Sequence, residues 1–309
     1  MRNAFNDALT GVARKDESLV LLVGDIGFRV FDDFREEFPD RFYNVGIAEA
    51  NMIGVAAGLA MSGMKPVVYT IIPFLVMRAF EQIRVDLCIQ DLPVILVGVG
   101  GGLSYDTLGP THHAIEDLAI MRSLPNMQVL TPCDPQEVLL TFEEGFHNDS
   151  PTYLRLGKGG EDNLLTKDLL NERVFNMYKM IKSGVDALFI CHGPILKEVQ
   201  NAVEILSKNY NCAIISVHSL KPFNEQELID RIKRYKFLIT VEEHSVIGGL
   251  GSIVSEIIAK NNINSQLSII GIPDVVTNII GKRDYLLAHH KMDAVNIARR
   301  TNLFLTKEI

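Results

Sequence analysis

Apolar residues along this chain fall into short unbroken runs, separated by longer stretches where they recur every three or four positions. Leu19–Val23 is wholly apolar and ends in Gly24-Asp25. Pro66–Ile72, Pro93–Val99, Met127–Thr131 and Thr152–Leu156 repeat that form. Runs of this length without polar alternation belong to strands covered on both faces. Between them, Asn3–Arg14, Ala48–Ser62, Leu75–Gln90, Glu116–Ser123 and Pro135–His147 carry the helical period. The alternation predicts β-α units around a mainly parallel sheet.

Gly157–Arg173 breaks the rhythm, with Gly157, Gly159, Gly160, several charges and no apolar period. It reads as a connection into a short strand near Val174–Ile181. The pattern then restarts. Ala187–Cys191, Ala213–Val217, Phe237–Val241 and Leu267–Ile270 read as strands, and Ile195–Asn209, Glu225–Tyr235 and Gly249–Lys260 as helices. The expected organisation is α/β with two domains: residues 1–160, a linker over 161–182, and a smaller α/β domain over 183–309. The halves share no sequence period, so no internal repeat is assigned.

Composition narrows the function. The 309 residues are 47% hydrophobic with a formal net charge of −8, which argues against a phosphate-backbone footprint and so against nucleic acid. No run of about 18 apolar residues suggests a membrane span. The sequence near Met1 lacks an apolar signal core, so a cytoplasmic protein is expected. Cys88, Cys133, Cys191 and Cys212 form no C-x-x-C pair. They read as buried, reduced thiols rather than metal ligands.

Three clusters carry candidate chemistry. In Phe42–Met52 a short strand meets Gly46, then a helix with Glu49 in its first turn. An acid there suits the helix dipole, but the small apolar Gly54–Ala60 that follows suggests a helix buried all round, at a subunit contact. Pro73–Gln82 follows a strand, so Phe74 falls at a carboxyl end, where open α/β sheets bind ligands. Gly98–His113 is a long glycine-rich loop that also follows a strand. It lacks G-K-[ST] and is no P-loop, and neither domain opens with a dinucleotide fingerprint. His112 and His113 lie at its end.

At these clusters the chain resembles the transketolase family, including the C-terminal part of deoxyxylulose-phosphate synthases, and is similar to 2-oxoacid dehydrogenase β subunits. The matching residues are Gly46-Ile47-Ala48-Glu49 with Ala57-Gly58-Leu59-Ala60, then Gly109-Pro110-Thr111-His112, Pro125-Asn126-Met127 and Thr131-Pro132-Cys133-Asp134. Further on, Lys221-Pro222-Phe223, Val241-Glu242-Glu243-His244 and Gly248-Gly249-Leu250-Gly251-Ser252 match the family's C-terminal domain. The resemblance implies a thiamine-diphosphate-binding (pyrimidine) fold followed by a transketolase C-terminal-like domain. It implies Glu49 and His112 as catalytic residues, Glu49 bonding the cofactor's pyrimidine N1′ and His112 facing the substrate. Ile47, Phe74 and Arg78 would complete the cofactor site, with the stacking residue open to a one-place shift toward Leu75. His113, Arg155 and Lys158 are the further substrate-binding candidates. Lys158 stands where phosphate-using relatives carry arginine, offering a point charge rather than a fork. Glu242-Glu243-His244 is expected to serve assembly and packing only.

Three departures refine the expectation. The family's diphosphate domain, with its G-D-G, has no counterpart here, since Gly24-Asp25 is followed by Ile26. A separate subunit is therefore expected to hold the phosphates and a Mg²⁺ or Ca²⁺ ion, in an α2β2 assembly, with self-association of this chain. Gly100 and Leu108 stand where full-length relatives place a histidine and an aspartate against sugar hydroxyls. His113 stands where glutamine is usual. The expected activity is transfer of a two-carbon ketol unit from a sugar or sugar-phosphate donor to an aldehyde. The alternatives are a dehydrogenase β subunit, a synthase-like enzyme or a non-catalytic scaffold.

Overall fold

The apolar runs form the middles of two sheets, as their lack of polar alternation requires. The computed structural model describes residues 1–166, 178–276 and 278–306. β1 (Leu19–Val23), β2 (Phe42–Asn44), β3 (Lys65–Ile71), β4 (Ile95–Val99), β5 (Gln128–Leu130) and β6 (Thr152–Leu156) lie parallel in the order β5-β6-β4-β3-β1-β2. On one face α1 (Arg2–Ala13) and the short α2 (Asp32–Glu37) bring Phe5, Leu9 and Phe34 against the sheet. The other face is covered by α3 (Glu49–Met61) and α4 (Ile72–Arg78) through Met52, Ile53, Leu75 and Val76.

Leu75–Gln90, expected as one helix, is broken. After α4 come α5 (Phe80–Gln82) and a π-helical stretch, Ile83–Cys88. Ala79, between α4 and α5, leaves helical geometry at φ −107°. α6 (Asp117–Arg122) and α7 (Pro135–Phe146) complete the unit. The latter is capped by Asp134, whose side chain accepts from Glu137 N.

The second sheet has the order β12-β11-β8-β9-β7. β7 (Tyr178–Lys182) is antiparallel to β9 (Cys212–Val217); β8 (Ala187–Cys191), β11 (Phe237–Ser245) and β12 (Gln266–Ile272) run parallel. Residues 174–177 of the expected strand near Val174–Ile181 lie outside the described residues. Helices α8 (Leu196–Leu206), α9 (Glu225–Ile232) and α10 (Leu250–Lys260) fall where expected. The expected list omitted α2, α11 (Arg283–His289) and α12 (Ala294–Thr306).

The halves interlock. β10 (Ser219–Lys221) leaves the second half and pairs antiparallel with β5, Ser219 opposite Leu130. One apolar cluster runs through both, joining Met52, Val68 and Leu96 to Ile190, Ile215 and Leu250. Buried charge also crosses: Lys179 Nζ lies 3.8 Å from Glu137 Oε1, and His218 Nδ1 lies 3.4 Å from the same oxygen.

Candidate active site

Parallel strands deliver their ligand-binding loops at one edge, and the candidates gather there. Glu49 follows β2, Phe74 follows β3, the Gly100–His113 loop follows β4, and Lys158 follows β6. Glu49 opens α3, is 4% exposed, and accepts from Arg78 Nη1 at 3.3 and 3.4 Å, its one partner among the described residues. Arg78 also lays its guanidinium on the Phe74 ring, 4.1 Å from the centroid. The Phe74 ring meets His112 edge-on at 5.1 Å. Leu75 is wholly buried in the core, so the aromatic presented to the site is Phe74.

His112 Nδ1 and Thr111 Oγ1 are 2.9 Å apart. Burial first, then neighbouring His113 and Arg78, push the His112 imidazole below its ordinary value, which keeps it neutral near pH 7.

The loop itself explains one departure. Gly100 has φ +93°, and a Cβ there would collide with the Tyr105 ring. Tyr105 fills the space that a side chain at position 100 would need. Its ring lies 5.7 Å from His112, with Lys158 Nζ 5.4 Å from it on the way to Asp106 (3.7 Å). Tyr105 was missed by the sequence reading. The only available signal was an aromatic inside a glycine-rich loop.

Two residues expected to bind substrate, Arg155 and His113, lie buried against other parts of the chain. Arg155 is buried: Nε and Nη2 bind Asp117 at 2.8 and 3.1 Å, and Nη2 also donates to the Ala114 and Glu243 carbonyls. Burial acts to lower its pKa, but Asp117 beside it prevails and raises it. Through Nε and Nη2 the guanidinium ties Asp117 to the Ala114 and Glu243 carbonyls. His113 is 3% exposed and donates from Nε2 to the Asp106 carbonyl at 3.1 Å, so it braces the loop from within. Ile47 stands 74% exposed on the rim, two residues before Glu49.

Helix α3 is not buried all round in this chain. Met52, Ile53, Ala56, Ala57 and Ala60 face the core, while Val55 and Met61 are exposed and Gly54 and Gly58 face open space. Asp25 pairs with Asn44 at the exposed β1–β2 edge. All four cysteines are free and buried, and burial pushes each thiol up. Among the described residues, no three His, Cys, Asp or Glu side chains gather to hold a metal, and no helix is long and apolar enough to cross a membrane.

A buried carboxylate with unused acceptor capacity, beside a half-buried aromatic ring, fits an aminopyrimidine. The family comparison agrees. The transketolase pyrimidine-binding domain matches residues 1–160, and the transketolase C-terminal domain matches residues 177–297. The chain belongs to the transketolase family. It is 36% identical to a putative transketolase C-terminal section of Methanocaldococcus jannaschii, over 100% of this chain and 97% of that one. It is 32% identical to an apulose-4-phosphate transketolase subunit of Phocaeicola vulgatus, over 99% and 97%. A solved split-gene transketolase, an inactive β4 tetramer, superposes with a TM-score of 0.87 at 31% identity, covering 99% and 97%. This transketolase-family chain therefore has the make-up of a split transketolase subunit, a pyrimidine-binding unit followed by a C-terminal unit.

Proposed function

We propose that this chain is the C-terminal subunit of a two-component, cytoplasmic transketolase that transfers a two-carbon ketol unit from a ketose to an aldehyde. The observation that carries the reading is the meeting of Glu49, Phe74 and His112 at one strand edge, in a chain that matches both family domains. Thiamine diphosphate, when bound, supplies the nucleophilic carbon and electron sink.

This chain's residues do the rest. Glu49 holds a proton at the pyrimidine N1′. Phe74 gives the ring an apolar wall, once Arg78 leaves its face, and Ile47 flanks it. Neutral His112 hydrogen-bonds the substrate oxygen that gains charge. Lys158, with 42% of its side chain exposed, offers a positive point for a phosphorylated substrate.

The diphosphate and its Mg²⁺ or Ca²⁺ fall to a partner subunit. The exposed small-residue face of α3 and Ile47 form the apolar contact, either with that partner in an α2β2 assembly or in self-association. The apulose-4-phosphate transketolase relatives are named as subunits, which supports a partner. Within the chain we assign residues 1–160 to the pyrimidine unit, 161–182 to the linker and 183–309 to the C-terminal unit.

The test is calorimetric titration of thiamine diphosphate with magnesium into this chain alone, into the reconstituted pair, and into the pair carrying Glu49→Ala. Tight binding should need both subunits, and Glu49→Ala should lower ketol transfer by about 10²-fold or more. Tight binding to this chain alone would overturn the two-component reading, and no binding by the pair would favour a scaffold.

A further inference from the structure

The carboxyl end of β11 crosses to the base of the histidine loop. Glu243 is 4% exposed, and its Oε1 accepts from Leu103 N at 2.8 Å. Arg283 grips the same carboxylate from behind, Nε lying 3.2 Å from both oxygens and Nη2 closer still. A buried carboxylate compensated on one side and donated to on the other is a firm anchor.

The anchored point is the neck of the loop. Gly102 and Ala114 exchange backbone hydrogen bonds at 2.8 and 2.9 Å, closing off residues 103–113. A Cβ on Gly102, whose φ is +64°, would stand 2.5 Å from Glu243 Cγ. The other side of the neck is tied to the same strand: Arg155 Nη2 bonds both the Ala114 and Glu243 carbonyls, and Ser245 N donates to Ile115 O at 2.7 Å. His112 lies two residues from Ala114.

We propose that Glu243, braced by Arg283, is a positioning residue for ketol transfer: it fixes the neck of the histidine loop from the C-terminal domain and so sets the place of His112. The proposal rests on the reading of His112 as substrate-facing. It gives Glu243 a role beyond assembly. Glu49 and Phe74 sit on other elements, so loss of the anchor leaves cofactor binding intact and falls on substrate turnover.

The reconstituted pair tests this. Glu243→Met removes the acceptor for Leu103 N and is expected to lower kcat/KM for the ketose by about 10²-fold, the effect of a misplaced catalytic group. The dissociation constant of thiamine diphosphate should move by less than about twofold. Glu243→Gln keeps an acceptor oxygen and should stay within about fivefold of wild type. Gly102→Ala keeps both charges of the Glu243–Arg283 pair but drives a Cβ into the Glu243 carboxylate, displacing neck and anchor together, and should give the same split as Glu243→Met, which covers the case where that variant folds poorly. Lys179→Met breaks a buried pair with Glu137 that makes no hydrogen bond to residues 102–114 and should lower Tm while leaving kcat/KM within about twofold.

Hydrogen exchange on this chain alone should show faster exchange over residues 103–114 in Glu243→Met. Unchanged exchange there overturns the proposal even if the wild-type pair proves inactive, an outcome that would count separately against the functional reading. Equal losses of cofactor affinity and turnover, or Glu243→Gln no better than Glu243→Met, also overturn it.

Discussion

Two groups of charged residues lie within one fold and do opposite things. At the strand edge, Glu49 has a single long contact with Arg78, and half of the Arg78 side chain is exposed. Between the domains, Asp117 accepts from Tyr153 Oη at 2.7 Å and from two nitrogens of Arg155, all buried. Glu242, Glu243 and Arg283 continue that interior set. The interior carboxylates each accept several hydrogen bonds from the chain and so hold shape. The edge groups have capacity left over, as the proposed ligand site requires.

The largest expected effect breaks the interior. Asp117→Ala leaves the Arg155 guanidinium buried without its counter-charge, which should cost about 3–5 kcal/mol of stability. Urea unfolding at a fixed chain concentration reads it, since self-association would otherwise shift the midpoint. A loss below about 1 kcal/mol would mean that water reaches Arg155 and that the two groups differ less than their burial says.

This contrast also bounds what the sequence could reveal. Ala187–Cys191 was legible to the residue, because a fully covered strand is a continuous apolar run, and Thr152–Leu156 was legible despite Arg155 within it. β10 was not: Ser-Leu-Lys before Pro222 has no strand signature, and its place is decided by β5, some ninety residues earlier. Helix α12 buries Ile297, Ala298, Thr301 and Leu305 at helical spacing, but exposed Val295 and Leu303 blur that stripe.

Glu49, Phe74 and His112, singled out by motif and strand-end position, lie together at one strand edge. The pairing of Arg155 with Asp117 was not legible, because a cation near a strand end looks the same in sequence whether it faces a substrate or a buried carboxylate. That carboxylate partner lies 38 residues away in sequence. Glu243's contact with Leu103 spans 140 residues and leaves no local trace.

A second, smaller effect probes the interior by pH. Burial pushes Glu242 up to about 7 from 4.5, against the lowering pull of the Gly251 and Leu250 N–H groups. A carboxyl raised in the fold binds protons more readily folded than unfolded. Its contribution is therefore present at low pH and lost as pH rises from 4.5 through about 7. Beside it, burial pushes His192 and His244 down from 6.5, and their contribution is lost in the other direction, as pH falls below that value. Arg155 and Arg122 also face Glu242 and oppose its rise. Between pH 5.5 and 8, wild type should lose about 2 kcal/mol more stability than Glu242→Gln. Parallel unfolding curves at the two pH values would place Glu242 among hydrated groups instead.

The smallest effect belongs to the edge and decides what Arg78 is. Its guanidinium covers the face of Phe74 and pairs with Glu49, the two groups assigned to the pyrimidine. Arg78 is expected to contact the cofactor; on the proposed reading it must first leave the face of Phe74 when an aminopyrimidine binds. Half-exposed cation–π and ion-pair contacts are each worth about 0.5–1 kcal/mol. Arg78→Met should therefore leave Tm unchanged while tightening thiamine-diphosphate binding by the reconstituted pair about threefold. Weaker binding would make Arg78 a direct cofactor contact that swings aside and returns. A fall in Tm comparable to that of Asp117→Ala would dissolve the distinction between edge and interior, because Arg78 would then be holding the fold rather than standing in for a ligand.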